Sequence, residues 1–158
     1  MSISNSHIVF GKALAENLFS ETAKDKAAEV AQGGLKKNRE GQIQYDRDGK
    51  PSQERNKSTQ LRKFYDELVM WTDKVYNVGK VEAGQKIDSV RDANYVKSAP
   101  FIKMMNAKVA YAKGRGHVDD SFDAMFSHCI KAIIDAETLK HAKLFMEAFL
   151  GFYKAQEK

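Results

Sequence analysis

Long apolar runs are missing from this chain, and so are most of the residues that build covalent scaffolds. Cysteine occurs once, at Cys129. That excludes an internal disulfide, and its apolar neighbours at helical spacing fit a buried thiol in a reducing compartment. Proline occurs only twice, so few positions forbid a continuous helix. Apolar stretches extend a few residues at most, which excludes a membrane span, and Met1 to Phe10 lacks the basic start and apolar core of a secretion signal. The expected location is the cytoplasm.

What is present is ordinary for a globular protein. The 158 residues are 42% hydrophobic and 30% charged, which suits one domain, 1–158, with a real core. The net charge of +5 is unevenly spread. Residues 33–57 carry seven basic and four acidic groups and 58–118 carry eleven and six, against three and four in 1–32 and five and seven in 119–158. A basic middle suggests a polyanionic partner, or else a solvated lysine-rich surface that serves solubility.

Apolar residues recur with a period near 3.6, and alternation is short-lived. The pattern predicts an all-α fold, a compact bundle of about five helices with a long polar loop after the first. That first helix is expected over Ile8 to Ala31, with Val9, Leu14, Leu18 and Val30 among its apolar positions and Gly33-Gly34 as its stop. The stretch "GGLKKNREGQIQYDRDGKPSQERNK" has too little apolar surface to offset ordering entropy and reads as a mobile loop over 33–57. No internal repeat is evident. The next helix, capped by Ser58 or Thr59, carries Leu61, Phe64, Tyr65, Leu68, Val69, Thr72, Val75 and Tyr76 on one face. A weaker segment follows over Val81 to Val96, and Pro100 suits the first turn of a further helix. Asp119 or Asp120 starts a helix with Phe122, Met125, Phe126, Ile130, Ile133 and Ile134. The last helix carries Leu139, Ala142, Phe145, Met146, Phe149 and Tyr153.

Nothing in the chain assembles into a catalytic constellation, and no cofactor is expected. "AKGRGHVDDS" lacks the spacing of a phosphate-binding loop and the lysine after its second glycine. His117, Asp119 and Asp120 are better read as a turn and capping groups than as metal ligands. His128 and His141 lie on different helices without Glu-x-x-His spacing, and His128 and Cys129, being adjacent, point about 100° apart on a helix.

The clearest chemical signal is the run from Lys97 to Arg115, with five basic residues and no acidic one. Within "FIKMMNAKVAYAKGRG", Phe101, Met104, Met105, Val109, Tyr111 and Ala112 fall on one arc, and Lys108 falls inside it. Lys103, Asn106 and Lys113 fall opposite and should be exposed. Gly114 is the expected left-handed stop, with Arg115 in the turn beyond. Lys108 either runs its methylenes along Met104, Met105 and Ala112 to bring its ammonium out at a seam between helices, or pairs internally with a carboxylate. Tyr111 is either core or a base-stacking group. Arg62 and Lys63, near a helix start where free amides favour anions, either dock phosphate or pair with Asp66 and Glu67.

The segments "STQLRKFYDEL" and "FIKMMNAKVAYAKGRG", followed by the apolar-aromatic "LKHAKLFMEAFLGFYKA", resemble the small helical subunit of type III-A CRISPR effector complexes, the Csm family, over about the last two thirds of the chain. That resemblance implies a noncatalytic subunit of antiviral defence. It implies several copies along the effector filament, beside the backbone and large subunits, in contact with the duplex of guide RNA and target RNA. Carried over, the RNA-facing residues are Arg62, Lys63, Lys108, Lys113 and Arg115, which Lys103 joins on helical-wheel grounds. Contacts of this kind go to phosphates and need no base specificity, because pairing with the guide reads the sequence. The resemblance does not assign residues in 33–57. A stand-alone helical nucleic-acid-binding protein and a purely structural assembly subunit remain the alternative readings.

Overall fold

The computed structural model describes residues 4–156. It is an all-α bundle of α1 (Ala23–Gly33), α2 (Ser58–Tyr76), α3 (Ile87–Lys103), α4 (Met105–Gly114), α5 (Asp120–Ala132) and α6 (Ala136–Gln156). At Met104 the backbone keeps near-helical angles (φ −64°, ψ −18°), so α3 runs on into α4 and the bundle has five arms.

The long α6 is the hub, packed against α1 and α2, while α2 also meets α3 and α4 meets α5. Its buried face, Leu139, Ala142, Phe145, Met146, Phe149 and Tyr153, is the set that its periodicity predicts. Phe64, Phe122, Phe126, Phe149 and Tyr153 form a chain of ring contacts with centroids 5.6–6.3 Å apart. Each such side chain, once buried, contributes about 1.5–3 kcal/mol. Cys129 sits wholly inside this core, where burial pushes its thiol up to about 12, with the Lys26 ammonium pulling the other way. The thiolate needed for reactivity is therefore suppressed.

Helix boundaries differ from the sequence expectation at several places. The first helix is short: Leu18–Thr22 forms a single π-helical turn before α1, while Val9 and Leu14 are exposed. Residues 8–11 are instead fastened to the bundle by two histidines. The Nε2 of His128 lies 2.7 Å from the Ile8 carbonyl oxygen, and Gly11 N donates to His141 Nδ1 at 3.0 Å. The predicted caps Ser58 and Thr59 make no capping bond, and α2 begins from Lys57. The weak segment starts at Ile87 rather than Val81, and Pro100 lies in the last turn of α3 rather than opening a helix. Proline's missing N–H leaves the Val96 carbonyl without its helical donor, which costs little there because Val96 is exposed to solvent.

The end of α4 is also displaced. Gly114 is still helical, and the left-handed residue is Gly116 (φ 78°). Gly116 N donates to the Lys113 carbonyl at 3.0 Å and His117 N to that of Ala112 at 2.9 Å, the paired bonds of a Schellman ending.

The polar segment 33–57 has backbone order that its composition does not suggest. Lys36 N donates to the Ser52 carbonyl, Ser52 N to that of Gln44, and Gln44 N to that of Lys36, at 2.8, 2.8 and 2.9 Å, which closes a ring of three short extended pieces. Two turns of equal build connect them. Asn38 Oδ1 accepts from the amides of Glu40 and Gln42, and eight residues on Asp46 Oδ1 accepts from those of Asp48 and Lys50. The repeat is carried by side-chain geometry that Asn and Asp share, and so escapes a search for identical residues. Its pairing stays at the level of isolated bridges, and no strand forms among the described residues. Buried Asn56 anchors the segment, with Nδ2 donating to the Val30 carbonyl and to Asp119 Oδ1, and its own carbonyl accepting from the Tyr153 hydroxyl.

Candidate nucleic-acid interface

The apolar arc of "FIKMMNAKVAYAKGRG" divides in two. Ile102, Met105, Val109 and Ala112 enter the core, whereas Phe101, Met104 and Tyr111 are 50%, 49% and 66% exposed. The exposed residues fall at spacings of three and four with Lys97, Lys108 and Arg115. They form one stripe, Lys97, Phe101, Met104, Lys108, Tyr111 and Arg115, along α3 and α4 beside the buried edge. Tyr111 is therefore a surface residue, not core.

Two contacts set α2 antiparallel beside this stripe. Lys108 Nζ meets Glu67 Oε1 at 2.8 Å, and one to two turns away the Trp71 ring stacks on Phe101 with centroids 5.6 Å apart and planes 13° apart. Trp71 donates its Nε1–H to Glu67 Oε2 at 3.1 Å, so both carboxylate oxygens are engaged. Lys74 lies over the outer side of Trp71, 5.0 Å from its centroid. Lys63, a turn before Glu67, lies on the Glu67 side of α2, is exposed, and makes no ion pair among the described residues. Arg115 donates to the Tyr111 hydroxyl at 3.1 Å and holds its guanidinium 5.8 Å from that ring.

The six residues singled out from sequence thus part company. Lys108 and Arg115 lie on the stripe, with Lys108 at the seam between helices and also paired to a carboxylate, and Lys63 lies on the side of α2 that carries Glu67. Arg62 lies on the α6 side of α2, 3.7 Å from Asp66 and beside Leu150 and Lys154. Lys113 turns to α5, where Asp120 at 2.7 Å and Asp123 at 3.4 Å raise its pKa, the hydrogen bond to Asp120 foremost. Lys103 is exposed as expected, but its ammonium donates to the Ile130 and Ile133 carbonyls at 2.7 and 2.6 Å and caps α5. Burial lowers its pKa. Trp71, Lys74, Phe101 and Met104 complete the face; periodicity places Phe101 and Met104 on the apolar arc and singles out neither Trp71 nor the face, because exposure depends on where α2 stops covering the rod.

Among the described residues no three His, Cys, Asp or Glu side chains gather around a metal-sized gap, and no helix is long and apolar enough to cross a membrane. No curated protein and no solved structure matches the chain. Residues 43–158, more than two thirds of the chain, match the family described as Csm2 Type III-A. The match begins inside the polar ring segment and takes in every helix except α1. The chain belongs to the Csm2 type III-A family, the small subunit of the type III-A CRISPR Csm complex, and so associates with other subunits of that complex.

Proposed function

We propose that this small subunit is noncatalytic and contacts the guide–target RNA duplex in a sequence-independent way, several copies lying along the effector filament in antiviral defence. The observation that carries the reading is the face of α2, α3 and α4 on which Lys63, Lys74, Lys97, Lys108 and Arg115 align while Glu67 is engaged on both oxygens. Such a face presents positive potential to a phosphate backbone without an opposing free carboxylate between the helices. Ammonium and guanidinium groups bind phosphate whatever the base, the indifference a guided complex needs. Arg62 and Lys113, held by carboxylates at the flanks, are secondary contacts. Lys103 is spent on α5.

Binding of RNA duplexes of unrelated sequence, measured for the full chain and for the assembled complex over a range of salt, tests the reading. Lys63→Ala and Arg115→Ala should each weaken binding by a similar factor for every sequence and flatten the log-log salt slope by about 0.7–0.9 per phosphate contact. Unchanged affinity and slope in both would remove RNA from this face and leave an assembly-only role.

A further inference from the structure

We infer that Tyr111 and Arg115 form a stacking site for a single unpaired nucleobase, so that the RNA held on this face presents one base out of its stack to α4. The inference rests on the RNA-contacting reading and deepens it, since phosphate binding alone gives no reason for the aromatics.

Tyr111 is 66% exposed, although it lies within a turn of the buried Val109 and Ala112, and its ring is braced by Arg115 through a 3.1 Å hydrogen bond and a guanidinium 5.8 Å from the centroid. An exposed ring fixed at its edge is preorganised, because its rotamer is already chosen before a ligand arrives. Four residues from Tyr111 on one side is Arg115 and three on the other is Lys108, so a base on the ring has cations within a helical turn of its phosphates on both sides. A second aromatic platform, Phe101 stacked on Trp71 with Lys74 beyond, lies farther along the same stripe. Charge decides the occupant. Every ionisable side chain of the stripe is a cation, and the adjacent Glu67 already holds Lys108 and Trp71. A nucleotide matches both halves of that pattern, a flat π-surface and an anion. A paired base offers neither face to a side chain, so the site selects an unpaired one.

The test titrates the full chain into a perfect RNA duplex and into the same duplex carrying one unpaired 2-aminopurine, following binding by anisotropy and stacking by 2-aminopurine emission. The expected results are about fivefold or tighter binding of the duplex with the unpaired base, with quenched emission on binding. Tyr111→Ala should erase the preference and the quench, and Tyr111→Phe should keep both, because the ring is retained and only the hydroxyl is lost. Lys63→Ala should weaken both duplexes by the same factor. Equal binding of the two duplexes by the unmodified chain, or a preference that survives in Tyr111→Ala, overturns the stacking site and leaves the phosphate reading intact. Absence of salt-dependent binding to either duplex brings down both. If Tyr111→Ala leaves RNA binding unchanged but weakens capture of another Csm subunit, the ring is a protein contact and the inference falls.

Discussion

Asn56 and Asp119 hydrogen-bond each other in both directions: Asn56 Nδ2 donates to Asp119 Oδ1 at 2.8 Å, and Asp119 N donates to Asn56 Oδ1 at 3.0 Å. Asn56 is fully buried and Asp119 caps α5 by accepting from Phe122 N at 3.1 Å. One amide side chain therefore ties the polar ring segment to α1 and α5. Asn56→Ala strands the Asp119 amide and part of a carboxylate and leaves the Val30 carbonyl only its bond from Gly34 N, and should lower unfolding free energy by about 2–3 kcal/mol in urea denaturation. A loss below about 0.5 kcal/mol would show that the segment is not coupled to the bundle.

Gly33 should resist substitution for a related reason. A Cβ there would stand 1.9 Å from Asp119 Oδ2, and that carboxylate is pinned by Asn56, Ser121 and Phe122. Gly33→Ala is expected to cost about 1–3 kcal/mol by displacing the cap. Gly114→Ala, at a helical position with nothing within 4 Å of its Cβ, should stabilise by up to about 1 kcal/mol, and thermal unfolding of the pair checks both signs.

Glu67 restrains the cation that the interface needs. Glu67→Gln keeps an acceptor for Trp71 while releasing Lys108, so RNA affinity should rise by about two- to fivefold, equivalent to the about 0.4–1 kcal/mol of a partly exposed pair. A fall in affinity, measured at one fixed salt concentration, would mean that Glu67 positions Lys108 for RNA rather than holding it back.

Alkaline pH should unfold the protein through its tyrosines. Burial raises the phenol of Tyr65 to about 12, helped by its hydrogen bond to Glu147, and burial also raises those of Tyr76 and Tyr95. A raised folded pKa gives stability that is complete below the unfolded value of about 10 and is lost as pH climbs through the folded one. Lys103 has the opposite sign: its lowered pKa makes stability rise toward pH about 10.5. Cys129 and Lys113, whose pKa values are also raised, share the sign of the tyrosines, so the net expectation is falling stability as pH climbs from about 9 to 12, and Tyr65→Phe should shallow that fall. Titration by circular dichroism measures it.

The ring of residues 36, 44 and 52 sets composition against geometry. If the backbone ring persists in solution, the amides of Lys36, Gln44 and Ser52 should exchange hydrogen more slowly than those of Arg39 and Arg47 at the turn tips. Exchange at unstructured rates at all five would restore the mobile loop that composition predicts for 33–57.

The core was legible from the chain because burial imposes a period. Leu61, Phe64, Leu68, Thr72 and Val75 on α2, and Leu139 through Tyr153 on α6, are buried where a period of 3.6 puts them. The capping role of Asp119 was legible too, since its side chain satisfies an amide only three residues away. The first helix misled because Val9 and Leu14 match the period without having anything to pack on, and the backbone ring was not legible because nothing in its sequence records that Asn56 would find Val30, Asp119 and Tyr153.

By itself, then, the sequence determined the all-α bundle, the basic stretch from Lys97 to Arg115 and the resemblance to a Csm small subunit, because apolar period, charge and short motifs are local properties. Only the tertiary structure decided which cations share a face. Neighbouring helical residues diverge by about 100°, so Arg62 and Lys63 part to different sides of α2. Lys103 and Lys113 go to α5 because the carbonyls and carboxylates that satisfy them are far away in the chain and close in the fold. Tyr111 is exposed for the complementary reason: α2 covers the rod at Phe101 and Lys108, and its contacts with the rod stop short of the ring.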